Sequence, residues 1–248
     1  MFYDPRGRGR SELLIDTRLG FFKDVDDIEA IRTGLKIGRM SLIGWSYLGA
    51  VATTYAALHP EHVVRLVMVG PSAVRSGENW SDPRVFVAQV DSASLHRLES
   101  MRGALRTTDD SLSYCRLDLR TRTLPPLMAD TAAIARMRAD PCREENERPE
   151  HWRRTLHLAI AGLGSQFDLR PRAARVHIPV FIVWGDRDPG PEAATREWLT
   201  AFPDARLLIV HDAGHLPWLE HGEVVFPAID EFLRGKWPLT AQAAVKGH

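Results

Sequence analysis

Four short apolar runs constrain this chain more than any other feature. They are Arg39 to Ile43, Val63 to Val69, Val180 to Trp184 and Arg206 to Val210. Each is too short for a helix and ends at glycine or a polar turn, the pattern of a strand buried on both faces. Helical patterns sit beside them. Asp24 to Leu35 puts Val25, Ile28, Ile31 and Leu35 on one face, with Asp24 or Asp26 as the predicted cap. Tyr47 to His59 is alanine-rich and stops before Pro60, Pro191 to Phe202 opens on proline, and Val224 to Leu233 is amphipathic. Alternating strands and helices predict a parallel sheet with helices on both faces. From Pro83 to His177 the strand signals vanish. Helices are predicted at 84–106, 109–122, 126–139 and 150–163, separated by Pro125-Pro126, Pro141 and Pro149. The chain therefore divides into 1–82, the first part of a sheet core; 83–177, a helical insertion; and 178–248, the second part of the core.

Composition removes several classes of function. The 248 residues carry 32 basic and 32 acidic side chains, without the basic footprint of a nucleic-acid binder. The Arg-rich middle (Arg116, Arg120, Arg122, Arg136, Arg138, Arg153, Arg154) reads as a solvated helical surface. No apolar run is long enough to span a bilayer, and the N-terminal M-F-Y-D-P-R-G-R-G-R lacks the apolar stretch of a signal peptide. The expectation is a cytoplasmic protein with no nucleic-acid or membrane partner. Cys115 and Cys142 cannot make a disulfide-rich scaffold and lack zinc-ligand spacing.

Chemistry concentrates in three loops, each just after a predicted strand, where open α/β sheets bind ligands. In Gly44-Trp45-Ser46-Tyr47-Leu48-Gly49, Ser46 sits at a strand-to-helix turn, either as a nucleophile or as a simple helix cap. In Gly185-Asp186-Arg187-Asp188-Pro189, Asp186 and Asp188 compete as the functional acid. In Asp212-Ala213-Gly214-His215-Leu216-Pro217, His215 stands in a loop between glycine and proline. His211 and His215 mimic a metal pair, but Gly214 and the preceding strand deny them a shared helix, so the metal signal is weak. Serine, acid and histidine in this order suit a nucleophile, an orienting carboxylate and a base.

The chain resembles the α/β-hydrolase superfamily from its first residues to about Leu233. Y-D-P-R-G-R-G-R-S (Tyr3 to Ser11) is similar to the segment after that family's fourth strand; W-G-D-R-D-P and D-A-G-H-L-P-W-L-E-H are similar to its acid and histidine loops. Together with G-W-S-Y, the first segment is most similar to proline-iminopeptidase-like members. Serine at the elbow argues against haloalkane dehalogenases and epoxide hydrolases, which use Asp there. The resemblance implies an α/β-hydrolase fold in which 83–177 is a lid, Ser46 is the nucleophile, His215 the general base and then acid, and Asp188 the residue that orients the imidazole. It implies the backbone N–H of Tyr47 as an oxyanion donor and Trp45 as a substrate contact. The substrate would be a small molecule or short peptide, cleaved at an ester, amide or N-terminal peptide bond through an acyl-enzyme that water resolves, and the resemblance implies no cofactor and no metal.

Two departures accompany the resemblance. The family's G-x-S-x-G carries leucine at position 48, and Gly49 points elsewhere on the helix. The family's leading strands, with the loop that supplies a second oxyanion N–H, have no counterpart before Met1-Phe2-Tyr3-Asp4, so an N-terminally truncated fold is expected, with a stub of the fourth strand and Arg39 to Ile43 as an exposed edge. An impaired homologue without efficient turnover and a non-catalytic small-molecule binding module therefore stand as alternatives. For a peptidase, Glu144, Glu145, Glu147 and Glu150 are the one dense acidic run that could meet a free amine.

Overall fold

The computed structural model describes residues 1–14, 17–77, 92–138, 140–143 and 148–244. After an irregular N-terminal segment the chain forms α1 (Phe21–Gly34), β1 (Met40–Trp45), α2 (Tyr47–Leu58) and β2 (Val63–Val69). The insertion follows, with α3 (Ser92–Ala104), α4 (Thr108–Asp118) and α5 (Pro149–Ala161). A short turn of helix, α6 (Arg170–Ala173), leads into β3 (Val180–Gly185), α7 (Glu192–Ala201), β4 (Ala205–Val210), α8 (Pro217–Glu220), α9 (Gly222–Leu233) and β5 (Gln242–Ala243).

The sheet runs β1-β2-β3-β4-β5. The first four strands are parallel and β5 is antiparallel to β4. β2 and β3 meet across the whole insertion, Leu66 pairing with Val180. Alternation along the strands sorts the core onto two faces. Leu66, Met68, Val180, Ile182 and Leu207 pack with α1, α2 and Trp198 of α7; Val67, Val69, Phe181, Val183 and Leu208 pack with Val225, Ala228 and Phe232 of α9. All of β3 is buried, as a central strand covered on both faces must be.

Several expectations are corrected here. Residues 1–5 form no strand, so the predicted stub is absent. Helix α1 is capped by Gly20, not by Asp24 or Asp26; Asp24 lies inside the helix and is buried. β1 runs through Gly44 to Trp45, because Gly44 and Trp45 still pair with Met68 and Val69. The helix predicted over 126–139 is replaced by 3-10 turns at Pro125–Leu127 and Thr131–Arg136. The backbone N–H groups of Ala129 and Asp130, which a continuing helix would use, instead donate to Glu220. The predicted start of the first insertion helix, 84–91, lies outside the described residues, as do Glu144, Glu145 and Glu147 and the side chain of Glu150. Cys115 of α4 and Cys142 form a buried disulfide that sequence alone did not suggest. Among the described residues no helix is long and apolar enough to cross a membrane.

Candidate active site

The turn from β1 to α2 is sharp and strained. Ser46 takes φ 54° and ψ −125°, the left-handed side of the map that a side chain tolerates poorly. Its side chain makes no capping bond to α2, so the hydroxyl is not spent on the helix. Gly44 is required by close approach: a Cβ there would lie 2.4 Å from the Leu48 carbonyl oxygen. Leu48 finds room because it lines a cavity rather than facing a strand. The glycine that faces the neighbouring strand is Gly49, whose added Cβ would stand 3.2 Å from Met68 Cε of β2. That corrects the expectation that Gly49 points elsewhere.

The loops after β3 and β4 meet beside this turn. His215 Nδ1 lies 2.7 Å from Asp188 Oδ2, and the Gly190 N–H donates to Asp188 Oδ1 at 2.7 Å. The Asp188 side chain is 3% exposed and that of His215 15%, so their hydrogen bond is shielded from water while the imidazole still reaches the cavity. The competing acid serves elsewhere. Asp186 accepts from the Asp212 N–H and faces the exposed His211, stapling the ends of β3 and β4 together. His211 and His215 thus turn to different carboxylates and share no ligand site.

Ser46, Asp188, His215, Trp45 and Tyr47 all line one cavity of about 260 Å³. Its wall is largely apolar: Leu48 and Pro71 from the core, Leu127, Trp152, Leu156 and Ile160 from the insertion. Trp45 borders it, but its indole N–H donates to the His215 carbonyl at 3.0 Å, so Trp45 also holds the histidine loop. The Tyr47 side chain points into the core, its hydroxyl donating to Asp24 Oδ2 at 2.9 Å; burial raises its pKa. Its backbone N–H opens α2, where helix donors lack intrahelical partners.

Three residues that sequence reasoning passed over also shape this site. Gly70, at φ +49°, lies against the acid–base pair: a Cβ would stand 3.1 Å from His215 Nδ1 and 3.2 Å from Asp188 Oδ2. The Gly70-Pro71 ending of β2 was its one visible signal. Arg8 lines the cavity and pairs with buried Asp24 at 2.8 Å. Burial pushes the Asp24 carboxyl up, and the Arg8 guanidinium opposes that shift. Glu220, within the quoted histidine-loop motif, carries a buried carboxylate.

One described cluster has metal-ligand types, Glu29 with His59 and His62. Arg32 grips both Glu29 oxygens and the Tyr55 hydroxyl donates to one at 2.6 Å, holding that carboxyl down to about 2. Its oxygens are taken and its charge is met, so the cluster is an ion-pair clamp.

A family model for the alpha/beta hydrolase fold matches residues 2–222. The chain belongs to the α/β-hydrolase family. Among curated α/β-hydrolase relatives, it is 31% identical over 200 residues to a pimeloyl-[acyl-carrier protein] methyl ester esterase of Aromatoleum aromaticum, covering 77% of this chain and 73% of that protein. It is 26% identical over 262 residues to a probable proline iminopeptidase of Leptolyngbya boryana, covering 95% and 79%. Among solved structures, a thermophilic esterase from Thermogutta terrifontis superposes with a TM-score of 0.63 at 20% identity, over 93% of this chain and 78% of that one. That likeness speaks to the α/β-hydrolase fold.

Proposed function

We propose that this α/β hydrolase is a serine esterase that cleaves a small ester through an acyl-enzyme on Ser46. The observation that carries the reading is the part-buried His215–Asp188 pair at 2.7 Å, set on the same cavity as a strained serine whose hydroxyl is not spent on capping. In this mechanism Ser46 Oγ attacks the ester carbonyl while His215 Nε2 takes its proton. Asp188 holds the imidazole by Nδ1 and stabilises the imidazolium. The Tyr47 N–H meets the oxyanion at the start of α2. His215 then gives its proton to the leaving alcohol, and water, deprotonated by the same imidazole, releases the acid and restores Ser46.

The cavity wall favours an ester over a peptide with a free amine. Among the described lining residues Asp188 is the one carboxylate, and it is bonded to His215; the other charged wall residue outside the pair is Arg8, a cation. A protonated amine finds no counter-charge there, whereas an apolar acyl group suits Leu48, Trp152, Leu156 and Ile160. The esterase named among the relatives agrees with this choice. The insertion, by contributing part of that wall, acts as the lid.

A fluorophosphonate probe is expected to label the wild type and not Ser46→Ala. Absence of labelling in a folded wild-type sample would overturn the reading. The impaired-homologue alternative draws on β1 standing at the sheet edge. It predicts labelling without measurable ester turnover.

A further inference from the structure

Glu220 ends α8 only five residues beyond His215, and it is 4% exposed. A buried carboxylate is strongly unfavourable unless its oxygens are satisfied. Here three backbone N–H groups satisfy it. Oε1 accepts from Ala129 and Asp130 of the insertion, both at 2.7 Å, and Oε2 accepts from Gly214 of the histidine loop, also at 2.7 Å. One side chain therefore joins two segments that are distant in sequence. The bonds around it repeat the join. The His215 N–H donates to the Leu127 carbonyl at 2.7 Å, and Arg136 donates to the Glu220 carbonyl at 2.6 Å. Packing leaves no slack: a Cβ on Gly214 would stand 2.3 Å from the Leu127 oxygen.

We propose that Glu220 is a positioning residue that makes seating of the lid and alignment of His215 one event. With 127–130 seated, both backbone N–H groups at Gly214 and His215 are held and the imidazole rests on Asp188. With 127–130 lifted, His215 loses its carbonyl partner and Glu220 Oε1 loses both of its N–H donors. The state with an aligned base is then the state with a closed cavity, so the base is in register only when bulk water is excluded. Only an ionised carboxylate can do this, because it accepts at both ends. A glutamine would turn an NH₂ toward one set of N–H donors. What the alignment serves rests on the esterase reading above; the existence of the clasp does not.

The test compares wild type, Glu220→Gln and Glu220→Asp by 4-nitrophenyl butyrate turnover and by amide hydrogen exchange. Glu220→Gln is expected to lower kcat roughly ten- to a hundredfold, the scale of a small misplacement of a reacting group, with KM within about twofold. Exchange is expected to rise together in 127–130 and 213–216. Glu220→Asp, which keeps an acceptor-only carboxylate, is expected to recover part of kcat. Faster exchange confined to 127–130 with kcat unchanged would overturn the proposal and leave Glu220 a passive lid contact. Should Glu220→Gln unfold by circular dichroism, Arg136→Ala loosens the same seat from the lid side and must raise exchange in both segments. If the wild type neither turns over the ester nor takes the fluorophosphonate label, the esterase reading fails, and amide exchange still decides the clasp.

Discussion

At the residue scale, the acid–base pair is defended by steric exclusion as much as by hydrogen bonds. Gly70 leaves a gap that a single methyl group would close, and its φ of +49° adds backbone strain for any side chain. Gly70→Ala is therefore expected to push His215 and Asp188 apart. It should lower kcat/KM on the order of a hundredfold and destabilise the fold by about 1–2 kcal/mol from the left-handed backbone alone. Steady-state kinetics beside chemical denaturation check both; unchanged kcat/KM with lowered stability would limit Gly70 to a folding role. That Ser46, His215 and Asp188 would meet at one cavity could be anticipated from sequence, because each follows a recognisable strand and the three stand in a fixed order. The choice of Asp188 over Asp186 needed coordinates or a family pattern, since both flank Arg187 in the same turn. Gly70 and Glu220 were not legible, because their contacts are made with atoms far along the chain, and a glycine after a strand has many ordinary uses.

At the element scale, strands read well and the helical insertion read poorly, for one physical reason. A strand covered on both faces is mostly apolar, and β2, interrupted only by Arg65, was delimited correctly from its β-branched run and its Gly70-Pro71 ending. The insertion's form depends on what it touches. Pro125 and Pro126 start a turn, and Glu220 takes the N–H groups that would have extended it into a helix. β5 was missed because two residues, Gln242 and Ala243, carry no periodic signal. Within the insertion, Cys115 and Cys142 tie α4 to the turn at Pro141–Arg143, and beside them Arg116 forks onto Asp140, holding that carboxyl below its usual range. The disulfide closes a loop with a sequence separation of 27. Such a crosslink contributes about 3 kcal/mol, chiefly by restricting the unfolded chain. Cys115→Ser is expected to lower stability by about that amount in a urea titration without reductant. A midpoint unchanged from wild type would show that the bond does not form in solution. Disulfides persist in oxidising compartments, so this bond pulls against the cytoplasmic expectation drawn from the N-terminal residues.

At the scale of the whole molecule, balanced charge and an open sheet edge act together. The 32 basic and 32 acidic groups cancel at neutral pH, which removes the long-range repulsion that keeps chains apart. Among the described residues β1 lies at the end of the strand order, and Ile43 on it is 50% exposed. An apolar, uncharged edge is a template for pairing with another chain. Ile43→Lys is therefore expected to reduce concentration-dependent self-association of this 248-residue chain near pH 7 without changing its ester turnover. Light scattering across a dilution series checks this, and unchanged scattering would mean that association uses another surface. The pairing of Leu66 with Val180 has a different consequence. The two halves of the core close around the entire insertion, and the entropy of closing a flexible loop grows only with the logarithm of its length. Doubling the intervening chain would cost about 0.6 kcal/mol. Lineages can therefore lengthen, shorten or rewrite the roof over Ser46 at small thermodynamic expense while β2 and β3 keep their register. Substrate range can then drift quickly on a scaffold that hardly changes.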